Sequence, residues 1–170
     1  MEKFRPAKTN KDIDLVGIGN AIMDIIANVD EKFLVNKQLK KSSMNLIGLE
    51  QSKELLKDCQ VIKKVSGGSS ANTVVSLSKL GNKVEFIGRV KDDNFGGYFS
   101  NDIRKSGVTF NSKVLNTSAS SAHSIILVTP DAQRTMCTYL GASIEFEEND
   151  INYESIRKSK YLYLEGYLWD

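Results

Sequence analysis

The stretch from Ser66 to Ser106 constrains the fold more than any other part of the chain. It opens on the pair Gly67-Gly68 and passes through small polar residues to Asn72. From Thr73 the spacing turns helical. Val74, Val75, Leu77 and Leu80 are apolar, Ser76, Ser78 and Lys79 are polar, and Gly81-Asn82 ends the run. A strand-like run, Val84 to Val90, follows. A second helix is expected from Asn94 to Ser106, with Phe95, Phe99 and Ile103 spaced at four, Asp93 or Asn94 as its cap and Gly107 as its stop. Glycine turn, helix, strand, helix is the grammar of a layered α/β enzyme domain. The glycine pair precedes a helix start, where unpaired backbone N–H groups face whatever binds there.

On either side the pattern continues. Ile13 to Ile18 is a short apolar run that reads as a central strand, closed by Gly19-Asn20. Phe33, Leu34 and Leu39 are anchors in a polar segment, and Ser42 to Asn45 reads as a loop. Gly48 to Asp58 is a helix, and Val61 to Val65 is a short strand feeding the glycine pair. From Val108 to Leu140 the character changes to a ladder of antiparallel strands, including Val114-Leu115, Ser124 to Val128 and Arg134 to Leu140, with a hairpin turn at Pro130-Asp131. Gly141 to Asn149 is a loop, Asp150 to Lys158 a short helix, and Tyr161 to Leu164 the last strand. At least four strands are expected in a parallel sheet.

The 170 residues make one domain, or one domain with a small appendage, and the 41% apolar content allows a sizeable core. With 23 basic and 21 acidic residues, nothing argues for a nucleic-acid partner. The lysine groups at 37, 40, 41, 63 and 64 are short and read as solvated surface. Cys59 and Cys137 lack a metal spacing, which fits a reduced, cytoplasmic protein. No apolar run approaches the ~20 residues of a membrane span. Residues 1–12 are expected to fray. The far end, YLYLEGYLW over Tyr161 to Trp169, reads as a buried strand at an edge. It implies a fragment that either self-associates or pairs with further chain.

Two groups of residues can carry chemistry. Asn20 and Asp24 follow the first strand. Gly67, Gly68 and Asn72 stand at the next strand-to-helix switch, and in a parallel sheet both loops open on the same carboxyl edge. Asp24 lies between Met23 and Ile25, where a carboxylate is costly to bury without partners. It either faces solvent on an alternating strand or is poised in a site. A carboxylate with two amides suits a polyhydroxyl ligand; the plainer alternative makes Asn20 and Asn72 turn and cap residues. Arg89 with Asp92-Asp93 can line the same edge or form a packed pair. Arg134, after the hairpin turn, can reach a phosphate or sit on the surface. The lone His123 makes no metal site and reads as structural. Neither G-x-G-x-x-G at the first turn nor a P-loop is present.

These residues are specific enough to compare with a known family. GGSSANTVVSLSKLGNKVEFIGRVKDDNFG, Gly67 to Gly96, resembles the first signature of the ribokinase / phosphofructokinase-B family of carbohydrate and nucleoside kinases. GNAIMDIIANVD from Gly19, KKSSMNLI from Lys40, PDAQRTMCTYLGA from Pro130 and YLYLEGYLWD from Tyr161 resemble its adenosine-kinase-like branch. The resemblance runs over residues 13–170 and covers only the N-terminal half of a family member. It implies a Rossmann-like α/β ribokinase fold, here partial, with a small β-sheet lid built from strands near 22–30 and 108–140. It implies that Asn20 and Asp24 hold sugar hydroxyls, that Gly67, Gly68 and Asn72 line the same pocket, that Arg134 lies near the transferred phosphate, and that His123 sits beside the ligand without catalysing.

The resemblance also implies ATP and Mg for the complete enzyme. The family's second, GAGD-type signature, with its general-base aspartate and anion hole, does not occur in these residues, so no catalytic base, metal site or tightly bound cofactor is expected within them. The expected activity of the complete protein is ATP-dependent phosphorylation of a sugar or nucleoside hydroxyl. The alternative is an inactive remnant or a sugar- or nucleoside-binding module.

Overall fold

The structure, a computed structural model, describes residues 11–111 and 119–168. Most of the expected frayed start, the Val114-Leu115 pair and Trp169 lie outside the described residues.

Two sheets meet at the site. The first is wholly parallel and contains β1 (Ile13–Ile18), β5 (Val84–Ile87), β6 (Thr109–Phe110) and β9 (Ser159–Leu164), in the order β6-β5-β1-β9. Helices α3 (Ser69–Lys79) and α4 (Asn94–Lys105) cover one face, and α5 (Tyr153–Lys158) packs on β1 and β9. Phe86 of β5 stacks with Phe99 of α4 and Phe110 of β6 at centroid distances of 5.9 and 5.9 Å, and all three rings are buried. Alternation sends Phe86 toward α4 and Glu85 to the opposite face. Asp93 caps α4 by accepting the Gly96 N–H at 2.8 Å, and Gly107 ends it at φ +81°, a conformation a side chain disfavours.

The second sheet is mixed. It contains β2 (Ile22–Asn28), β3 (Met44–Leu46), β4 (Gln60–Gly67), β7 (His123–Val128) and β8 (Arg134–Tyr139), in the order β3-β8-β7-β2-β4. β7 and β8 form the expected antiparallel hairpin, but β7 pairs parallel to β2, and β3 parallel to β8. One face is buried: Met23, Ile25, Ala27, Ile125, Leu127 and Cys137 are 0% exposed. It packs against α1 (Glu31–Asn36), α2 (Leu49–Asp58) and α4. The other face carries Asp24, Ile26, Ser124, Ile126, Met136 and Thr138.

Four expectations are corrected. Val61 to Val65 is not a core strand: β4 runs antiparallel to β2 in the second sheet, and the exposed Lys63-Lys64 centre suits a sheet edge. The fourth parallel strand is Thr109–Phe110, which lay within the stretch assigned to the lid. Its buried Phe110 completes the ring cluster and draws the strand to β5. Met44 and Asn45, read as loop, begin a short edge strand, Met44–Leu46, held by β8. Helix α3 also begins earlier than Thr73, because Ser70 and Ala71 are small enough to pack, buried, under the first turn.

Candidate functional site

The site forms where β1 leaves the first sheet and β2 enters the second. Gly19 ends β1, Asn20 and Ala21 make the turn, and Asp24 is the third residue of β2. Across the antiparallel pairing Ile22 faces Gly67, so the Asp24 carboxyl leans onto the glycine's α-carbon. A methyl at Gly67 would collide with that carboxyl. Asp24 and Gly67 therefore meet as lid neighbours and not as two loops on the carboxyl edge of one parallel sheet, as the sequence suggested.

Burial lifts the Asp24 carboxyl from its ordinary 3.8 to about 6. Desolvation is the whole cause, with no cation offsetting it. Asp24 stands on the alternating strand β2, on the face opposite buried Met23 and Ile25, and is partly exposed.

Gly68 adopts φ +96° and ψ 145°, open to glycine and strained for other residues, and its α-carbon lies against the Asn20 carbonyl. Asn20 is 5% exposed, and its side-chain oxygen is buried without a hydrogen-bond partner. Such an acceptor is costly unless a donor arrives. Asn72 stands in the first turn of α3, exposed, with its N–H bonded to the Gly68 carbonyl at 2.9 Å. Asn20, Asp24, Gly67 and Gly68 are thus brought together, with Asn72 at their rim. Arg134 is exposed at the start of β8. It shares the sheet face of Asp24, but four residues along and two strands across place it roughly 15 Å away.

His123 is corrected in position. It pairs with Met23 and Tyr139, so it lies on the sheet face opposite Asp24, 2% exposed and away from the site. Its Nδ1–H donates to the Ser121 carbonyl at 3.1 Å, leaving Nε2 to accept the Ser52 hydroxyl at 2.5 Å. Phe95 and Tyr139 flank the ring, and burial lowers its pKa. The histidine is structural, as expected. Arg89 is also a packed residue: it pairs with buried Asp150 at 3.3 Å, while Asp93 accepts from Gly96 and Ser121 N–H. A polar hollow of about 260 Å³ between Glu85, Asn111 and Asp150 lies on the α5 face of the first sheet and is not lined by Asn20, Asp24, Gly67 or Gly68.

Two features escaped the sequence. Glu165, the residue after β9, accepts the Asn20 N–H at 3.1 Å and the Ser69 hydroxyl. It is an acid within an apolar run, the same signal that marked Asp24. Ser124 and Thr138 join hydroxyls at 2.8 Å beside Asp24, on the open sheet face; only the strand register reveals that pairing.

With this geometry in hand, the known proteins can be compared. Residues 12–170 match the pfkB family carbohydrate kinases. The chain belongs to that family. Its fold superimposes on the adenosine kinase of Sinorhizobium meliloti with a TM-score of 0.86 and 41% identity, covering 94% of this chain and 49% of the other. A probable sugar kinase of Rhizobium etli gives 0.86 and 38%, covering 94% and 48%. The 5-dehydro-2-deoxygluconokinase of Geobacillus kaustophilus is 25% identical over 96% of this chain and 43% of its own length. The chain therefore spans about half of these kinases, and the partial ribokinase-type fold with its second, lid-like sheet agrees with them. No helix among the described residues is long and apolar enough to cross a membrane.

Proposed function

We propose that the complete polypeptide transfers a phosphoryl group from ATP to a hydroxyl of a nucleoside or sugar, and that this chain supplies the acceptor side. The observation that carries this is the Asp24 carboxyl, desolvated against Gly67, with the buried, unpartnered Asn20 side-chain oxygen in the turn that leads into the same strand. An ionised carboxylate accepts from two neighbouring hydroxyls, and the Asn20 oxygen accepts from a third donor. Ile26, Ile126 and Met136 continue the same sheet face as an apolar strip. Together with the 41% identity to an adenosine kinase, that strip favours a nucleoside over a bare sugar. Asn72 lines the rim.

ATP and Mg are the donor and counter-ion such a reaction uses. Among the described residues no three His, Cys, Asp or Glu stand together as a metal cage. What these residues do is bind and orient the acceptor hydroxyls and cover them with the sheet. Cytoplasmic residence suits the two free thiols. Tyr161, Leu162 and Leu164 are 70%, 43% and 56% exposed along β9, the edge of the first sheet. That edge suits a further strand, from the remaining length of a family member or from a second copy.

Isothermal titration with adenosine, ribose and ATP tests the assignment. Adenosine binding that Asp24→Asn abolishes supports it; a folded chain that binds neither adenosine nor ribose refutes it. The second reading is a sugar- or nucleoside-binding module without catalysis. ATP turnover by the chain alone would overturn that reading.

A further inference from the structure

We infer that Glu165 is a positioning residue whose carboxylate sets the Asn20 turn and the first turn of α3 against each other. This rests on the acceptor site proposed above. Two segments converge on this one side chain. One carboxylate oxygen accepts the Asn20 N–H at 3.1 Å, and the other accepts the Ser69 hydroxyl at the start of α3. Gly19 leaves the space: a methyl there would collide with the carboxylate and would come within 2.7 Å of Ser70 Cβ.

The reason lies at the helix start. The N-cap of α3 is Gly68, which has no side chain to cap the free N–H groups. A carboxylate brought from the end of β9 accepts the Ser69 hydroxyl there and sets near the helix start the negative charge that a helix N-terminus favours. Because the bonds are charge-assisted, they hold the turn firmly. Asn20 is then fixed with its carbonyl on Gly68 and its side-chain oxygen unpartnered. The first turn of α3 already holds the chain's own anion, so it presents itself to a neutral, hydroxylated ligand and not to a phosphate.

The test compares the full chain with Glu165→Ala and Glu165→Gln. Glutamine keeps an oxygen for the Asn20 N–H; alanine does not. Amide exchange followed by NMR should speed up about fivefold to tenfold at Asn20 in the alanine variant, as for loss of one bond, while Ile125 on β7 is unmoved. The glutamine variant should stay within about twofold at Asn20. Adenosine affinity should fall about tenfold in the alanine variant and much less in the glutamine variant. Unchanged exchange at Asn20, or acceleration shared equally by Ile125, overturns the inference, since the latter marks a general loss of stability. Faster Asn20 exchange with unaltered adenosine affinity also overturns it. If the unmutated chain binds no adenosine, the acceptor assignment fails, and the exchange comparison alone decides the positioning role.

Discussion

Replacing Asp24 by asparagine should make the protein more stable while destroying the proposed acceptor site. The carboxyl is displaced from 3.8 to about 6 by burial alone. At about 1.4 kcal/mol per pH unit this is about 3 kcal/mol of strain in the ionised form, and the side chain's residual solvent contact reduces the expected gain to about 1.5–3 kcal/mol. The direction follows from linkage. A carboxyl with a raised folded pKa binds protons more tightly in the folded state, so its cost is absent below about pH 4, grows between pH 4 and 6, and is complete above 6. Asp24→Asn removes the cost at every pH.

Urea unfolding of both proteins at pH 8, 6 and 4 measures this. Glu85, raised by burial, and His123, lowered by burial, titrate nearby with opposite effects, and they cancel in the difference between the two proteins. The variant should be more stable by about 1.5–3 kcal/mol at pH 8, or about 3–12 °C in Tm, and the gap should shrink toward zero near pH 4. Adenosine affinity should fall about 100-fold, and in the unmutated chain it should rise as the pH passes 6 and Asp24 ionises. A variant no more stable at pH 8, or a gap that persists in full at pH 4, would refute burial as the cause of the shift.

Gly67→Ala and Gly68→Ala should separate. At Gly67 the new methyl meets the rotatable Asp24 carboxyl, so stability should fall by less than about 1 kcal/mol while adenosine binding is lost. At Gly68 it meets the Asn20 backbone carbonyl at φ +96°, and urea unfolding should show a loss of at least about 2 kcal/mol. Equal stability losses would contradict this. Ser52→Ala should destabilise by about 1–3 kcal/mol by leaving His123 Nε2 buried and unpaired, without changing adenosine affinity; a shift in affinity would place His123 closer to the site than its sheet face allows.

Local chemistry was legible in the residues. An acid among apolar neighbours marked Asp24, the glycine pair marked a close backbone approach, and the four-residue spacing of Phe95, Phe99 and Ile103 marked α4. What misled was pairing. A run such as Val61 to Val65 has strand character whichever sheet it joins, because propensity says nothing about the neighbour. Thr109–Phe110 is too short for alternation to show, and only the fit of Phe110 between Phe86 and Phe99 seats it.

The sequence by itself determined the family, the α/β layering and the side chains proposed to meet the acceptor. Tertiary structure decided why they meet: β4 turns back along β2 and lays Gly67 under Asp24, and a glutamate 145 residues from Asn20 closes the turn. Strand register and long-range hydrogen bonds arise from contacts between distant segments, and those contacts exist only once the chain has folded.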